Sequence, residues 1–201
     1  MGKPMLLQHR AQAALTATMQ AVAAFMDKQM EPLIAAARLV AKAVQEGHKV
    51  LIFGNGGSAA DAQHLAAEFV NRFQIERPPL AAIALTTDTS ILTAIGNDYH
   101  FQDIFAKQVA ALGRPGDVAW GISTSGNSPN VVQALRQARE LGLHTLAVTG
   151  MSGGKMAPLA DILLAVPSTE TPRIQEVQLA IGHVLVDLVD FLLFPEHFQP
   201  A

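Results

Sequence analysis

Apolar positions along the chain fall into two textures that meet at Gly47. Residues 5–46 are dominated by alanine, leucine and methionine, and Pro32 follows Glu31 where a helix would begin, so this stretch predicts two helices with a break near Gln29–Pro32. The first carries Leu15, Met19, Val22, Phe25 and Met26 on more than one side, the pattern of a helix packed against several neighbours. After Gly47, short apolar runs at Lys49–Phe53, Leu80–Leu85, Val118–Ile122, Thr145–Val148 and Ile162–Val166 are too short for helices and bounded by turn residues, which predicts five strands. Between them lie helical stretches at Ser58–Phe73, about Thr89 to Leu112 and Ser128–Leu141, and a short turn near Gly154–Leu159. Residues 173–194 predict a last helix, apolar nearly all round and hence buried.

Alternating β and α elements with near-continuous apolar strands predict an α/β fold, a five-stranded parallel sheet sandwiched by helices, preceded by two N-terminal helices. With no internal repeat or long linker, the expectation is a single domain over 1–201, in which 1–46 holds the N-terminal helices and 47–201 forms the α/β unit.

Composition narrows the functions open to such a fold. A net charge of −3 offers a nucleic-acid backbone no basic excess, so no nucleic-acid partner is expected. No apolar run approaches the ~20 residues that span a bilayer, and the start Met5-Leu6-Leu7 is broken at once by Gln8, His9 and Arg10. A cytoplasmic protein without membrane contact is expected. Charged residues make up 15% of the chain, against roughly 25% in an average domain, which points to burial between subunits. Cysteine is absent, removing thiolate ligands and nucleophiles.

In open parallel sheets ligands bind beyond the carboxyl ends of the strands. Two segments there stand out: Gly54-Asn55-Gly56-Gly57-Ser58, a glycine cluster entering a helix, and Ser123-Thr124-Ser125-Gly126-Asn127-Ser128, rich in hydroxyls and also entering a helix. Either loop alone suits a turn and N-cap as well as a phosphate; two on one sheet favour a phosphate ligand. The first loosely fits a dinucleotide pattern, weakened because Leu85-Thr86-Thr87 has no acidic residue at the strand tip. A Walker loop is absent near Lys155, and Gly121-Ile122-Ser123-Thr124-Ser125 lacks the closing glycine of a nucleophile elbow.

Directly behind the glycine loop, His64 and Glu68 stand at i and i+4 on one helix face. Gln175, Glu176 and His183 share a sector of the apolar last helix, where each polar group needs a partner. Taken singly, the first pair suits an exposed helix pair and His183 a hydrogen-bonded core histidine. Together they suit general acid–base work, with a glutamate moving a proton next to a carbonyl and a histidine serving the oxygen, as aldose–ketose isomerisation requires. His64, Glu68, Gln175 and His183 also form a nitrogen and oxygen ligand set for a divalent ion; glutamine is an uncommon zinc ligand, so spacing alone favours the acid–base reading.

The segments GNGGSAADAQHLAAEF, the GND at Gly96–Asp98, STSGNS and RIQEVQLAIGH closely resemble, in order and spacing, the sugar isomerase (SIS) domain family and, within it, the phosphoheptose isomerases. The match covers the chain from Val50 to Phe194. The resemblance implies a flavodoxin-like fold and conversion of sedoheptulose 7-phosphate to D-glycero-D-manno-heptose 7-phosphate, the entry to ADP- or GDP-heptose for surface glycans such as lipopolysaccharide. It implies Glu68 as general base and His183 as acid or second base. Substrate contacts are implied for Asn55, Gly56, Gly57, Ser58, Glu68, Asn97, Asp98, Ser123, Thr124, Ser125, Ser128 and Gln175. It also implies one zinc ion per subunit held by His64, Glu68, Gln175 and His183, and a homotetramer in which the N-terminal helices of 1–46 and the last helix build the oligomer core and sites are shared between subunits. A non-enzymatic branch that binds the replication initiator DnaA resembles the chain around NRFQIERPPLAAIAL and LTAIGND, but as that pattern implies it lacks the counterparts of Glu68 and His183, both present here. A sugar-phosphate-sensing SIS module is the more distant alternative.

Overall fold

The computed structural model describes residues 3–198. A long helix α1 (Lys3–Gln45) leads into β1 (Val50–Gly54), α2 (Gly57–Val70), β2 (Ala82–Ala84), α3 (Thr89–Asp98), α4 (Ala106–Leu112), β3 (Val118–Ser123), α5 (Pro129–Glu140), β4 (His144–Gly150), β5 (Ile162–Val166) and α6 (Thr171–Leu193). Short 3-10 turns fill Phe101–Asp103, Gly154–Leu159 and Pro195–Phe198. The five strands form one all-parallel sheet in the order β2-β1-β3-β4-β5. The expected architecture is therefore present, with strand limits displaced by one or two residues; only the edge strand β2 is markedly shorter than Leu80–Leu85.

Alternation along the strands sorts the core into two layers. Val50, Ile52, Val118, Trp120, Ile122, Leu146 and Val148 face one way, onto α1, α2 and α6; Leu51, Phe53, Ala119 and Ala147 face the other, onto the α3–α5 side. A parallel sheet covered on both faces must be apolar on both, and all five residues of β1 are buried.

Three expectations are corrected. Residues 5–46 do not make two helices: α1 runs unbroken through Pro32. A proline inside a helix costs ~3 kcal/mol, and here Phe25, Leu33, Ala36, Ala37, Val40 and Ala41 are buried on both sides of it against the rest of the chain, which outweighs that cost. The region from Thr89 to Leu112 is not one helix either. It is α3, which Asp88 caps by accepting the Ile91 N–H at 2.9 Å and which stops at Asn97-Asp98, then a 3-10 turn and α4. Finally, α6 is not buried all round within one chain: Ile174, Val177, Ile181, Leu185, Val186 and Val189 are covered, while Val184, Phe191 and Leu192 stand exposed.

Candidate active site

The strand order reverses between β1 and β3, and the loops leaving these strands flank the crevice where α/β sheets bind ligands. They are tied across it by a reciprocal amide pair: Asn55 Nδ2 donates to Asn130 Oδ1 and Asn130 Nδ2 to Asn55 Oδ1, both at 2.8 Å. Gly56 turns the chain into α2 at φ 55°, a conformation that favours glycine. Gly57 is required for a different reason. A Cβ there would lie 2.7 Å from Gln175 Nε2, so the glycine lets the first part of α6 reach the start of α2. Ser58, in the first turn of α2, is buried.

The β3–α5 loop is held by its own hydroxyls. Ser123 Oγ lies 2.9 Å from Ser128 Oγ and 3.4 Å from Ser125 Oγ, while Ser125 Oγ accepts the Asn127 N–H. Thr124 and Ser125 open into a cavity of about 360 Å3 that also takes Ser152, Ser168, Thr169 and Thr171 at its wall. Those four were not foreseen, although each follows the end of β4 or β5 and obeys the same rule that singled out the first two loops. A wall of neutral hydroxyls and backbone groups suits an anion in a chain with no positive excess.

From this crevice α2 and α6 run side by side, and the titratable side chains meet between them. His64 Nε2 stands 2.7 Å from His183 Nε2 and 3.6 Å from Glu68 Oε1. The two imidazoles cross edge to face at 5.0 Å, and Phe73, just past α2, stacks on His183 at 5.4 Å. Phe73 was not singled out from sequence because an aromatic next to a helix end carries no mark of its partner. Burial pushes the nearby Asp61 carboxyl above its ordinary range, and the charge on His64 opposes that in part.

Not every foreseen group joins this cluster. Glu176 turns to α1 instead, accepting Thr18 Oγ1–H at 2.6 Å and pairing with Arg173 at 2.9 Å. Asn97 and Asp98 are exposed at the end of α3, joined to each other at 2.8 Å; among the described residues no hydrogen bond ties them to either loop. The two imidazole nitrogens and the carboxylate oxygen, drawn from α2 and α6, are donors of the kinds zinc accepts. Among the described residues, however, no group of three or more His, Asp or Glu side chains stands so as to hold a metal ion. No helix among them is long and apolar enough to cross a membrane.

Comparison with known proteins places the chain. The SIS domain pattern matches residues 15–150. The phosphoheptose isomerase of Nitratidesulfovibrio vulgaris (strain Hildenborough) is 61% identical over 170 residues, 85% of this chain and 82% of its own, and that of Aquifex aeolicus 58% over 167 residues, 83% and 87%. The solved structure of the phosphoheptose isomerase of Neisseria gonorrhoeae superposes with a TM-score of 0.87 at 48% identity, covering 92% of this chain and 98% of that one. With the parallel sheet, the paired loops and the His64–Glu68–His183 cluster in hand, these likenesses assign the chain to the SIS-domain family and, within it, to the phosphoheptose isomerases, a family of sugar-phosphate isomerases.

Proposed function

We propose that the chain interconverts sedoheptulose 7-phosphate and D-glycero-D-manno-heptose 7-phosphate, feeding the synthesis of nucleotide-activated heptose in the cytoplasm. The observation that carries this is the meeting of Glu68 and His183 at a shared neighbour, His64 Nε2, between two helices of which α2 leaves the glycine loop and α6 starts at the wall of a cavity whose hydroxyls suit a phosphate. Glu68 takes a proton from C1 of the ketose, leaving a cis-enediolate across C1 and C2, and returns it to C2. His183 gives a proton to O2 as the carbonyl there is lost and recovers the proton that leaves O1, so no redox partner is consumed. Asn55, Gly56, Gly57 and the hydroxyls of Thr124, Ser125 and Ser128 hold the phosphate and sugar oxygens, with Ser123 bracing its loop.

His64, Glu68, Gln175 and His183 would hold a zinc ion, which when bound supplies positive charge to the enediolate oxygens. Assembly as a homotetramer with shared sites belongs to the same reading. It is supported by the bare apolar faces of α1 and α6, and by Asn97 and Asp98, which stand exposed and apart from the cluster of their own chain. A coupled assay of sedoheptulose 7-phosphate turnover, run with and without added zinc, tests it. E68Q should keep the fold and lose roughly 10²–10⁴ in rate; turnover by purified E68Q at the parent rate would refute the assignment.

A further inference from the structure

Arg77 lies in the segment between α2 and β2, where a charged residue is ordinarily solvated, yet its side chain is fully buried. All three of its side-chain nitrogen atoms are engaged. Nε donates to Asp190 Oδ1 at 2.9 Å, Nη2 to the carbonyl of Glu68 at 2.8 Å, and Nη1 to that of Phe69 at 2.7 Å, with Asn71 and Pro78 carbonyls at 3.4 and 3.2 Å. The last carbonyls of a helix have no partner within it, and a cation there also meets the negative end of the helix dipole. Arg77 therefore closes the carboxyl end of α2 at the very residue, Glu68, that carries the proposed base.

Its partner Asp190 sits two turns beyond His183 on α6, on the same side of that helix. One guanidinium thus joins the helix bearing Glu68 to the helix bearing His183. The arrangement is also costly as mere packing: among the described residues Asp190 Oδ2 is buried without a hydrogen-bond partner. Apolar side chains of similar volume hold two helices together at least as well as a buried ion pair does. What they lack is the fixed fork geometry of a guanidinium.

We propose that Arg77 and Asp190 are positioning residues, setting the separation and rotation of α2 and α6 so that Glu68 and His183 face one substrate carbon pair. The inference rests on the isomerase reading above. Its test is the double variant R77M/D190L, which removes both charges at once and so strands neither, with R77K beside it, which keeps the charge and loses the fork. The double variant is expected to remain folded, with KM for sedoheptulose 7-phosphate within about threefold of the parent, because the loops that bind substrate are untouched. Its kcat is expected to fall by about 10²-fold, the effect of a misplacement of roughly 1 Å. A crystal structure should show the His64–His183 Nε2 separation changed by about that distance, and R77K should recover part of the rate. A folded double variant with parental kcat and an unchanged separation overturns the proposal. If the double variant does not fold, R77K is read by the same two measurements, and parental values for both overturn it. If the parent itself leaves sedoheptulose 7-phosphate unchanged, the isomerase reading falls, and the Nε2 separation alone decides the positioning claim.

Discussion

Asp117 shows how far from the crevice single residues secure the sheet. It begins the approach to β3 with its side chain buried, takes a 2.6 Å bond from Lys49 Nζ, and accepts the backbone N–H groups of Lys49 and Arg114 at 3.0 and 2.8 Å. Burial by itself would push the carboxyl up; the Lys49 and Arg114 hydrogen bonds and the Lys49 charge outweigh it and hold the group below its ordinary value. A carboxyl lowered on folding stabilises above its unfolded value, near 3.9, and that stability is lost as pH falls through the folded value. D117A is therefore expected to cost about 1–3 kcal/mol at pH 7. Melting curves should show the gap to the parent shrinking below about pH 4. The same scale shows what was legible beforehand. His64 and Glu68 announce themselves by spacing, and His183 by being polar in an apolar helix, but Arg77 reads as one more loop charge. Its burial depends on carbonyls that become free only once α2 ends at Val70 and on a carboxylate more than a hundred residues away.

Between elements, the approach of α2 to α6 is set by an absence of side chain. Gly182 precedes His183, and a Cβ there would fall 2.7 Å from Leu65 Cδ2 and 2.8 Å from Cδ1, with Leu65 itself buried. G182A should force the two helices apart, costing about 1–3 kcal/mol of stability, and lower turnover with it. Adding L65V should restore part of both, in thermal melts and in the isomerase assay. Helix and strand identities were legible because periods of two and 3.6 are written in the apolar pattern itself. The join at Pro32 was not. A proline preceded by glutamate looks like a helix start, and only the apolar residues buried against α6 and the sheet on either side of it carry the helix through. In the same way, Glu176 shares a sector with Gln175 by helical arithmetic but is drawn off by Arg173, its i−3 neighbour, and by Thr18, a partner that no local pattern names.

For the molecule as a whole, one chain leaves an apolar groove of about 230 Å3 between α1 and α6, lined by Val22, Phe25, Met26, Met30, Val177 and Val184. Exposed Leu15, Met19 and Ile34 extend the bare surface along α1. An apolar face of that kind is the usual mark of subunit contact. Sedimentation should find the parent as an oligomer, and M26K/V184E should shift it to smaller species with its helical content kept. Because α1 is continuous, it is a stiff rod of roughly 65 Å at ~1.5 Å per residue, and it has no elbow with which to lay its first turns back on its own subunit. Three to four turns along, however, the rod is linked to the start of α6: Thr18 and the Ala14 carbonyl take the Arg173 guanidinium, two residues before Gln175. Whatever steadies the outer end of the rod thereby steadies the start of α6, so that for this fold holding the far end of α1 and placing Gln175 are one mechanical problem.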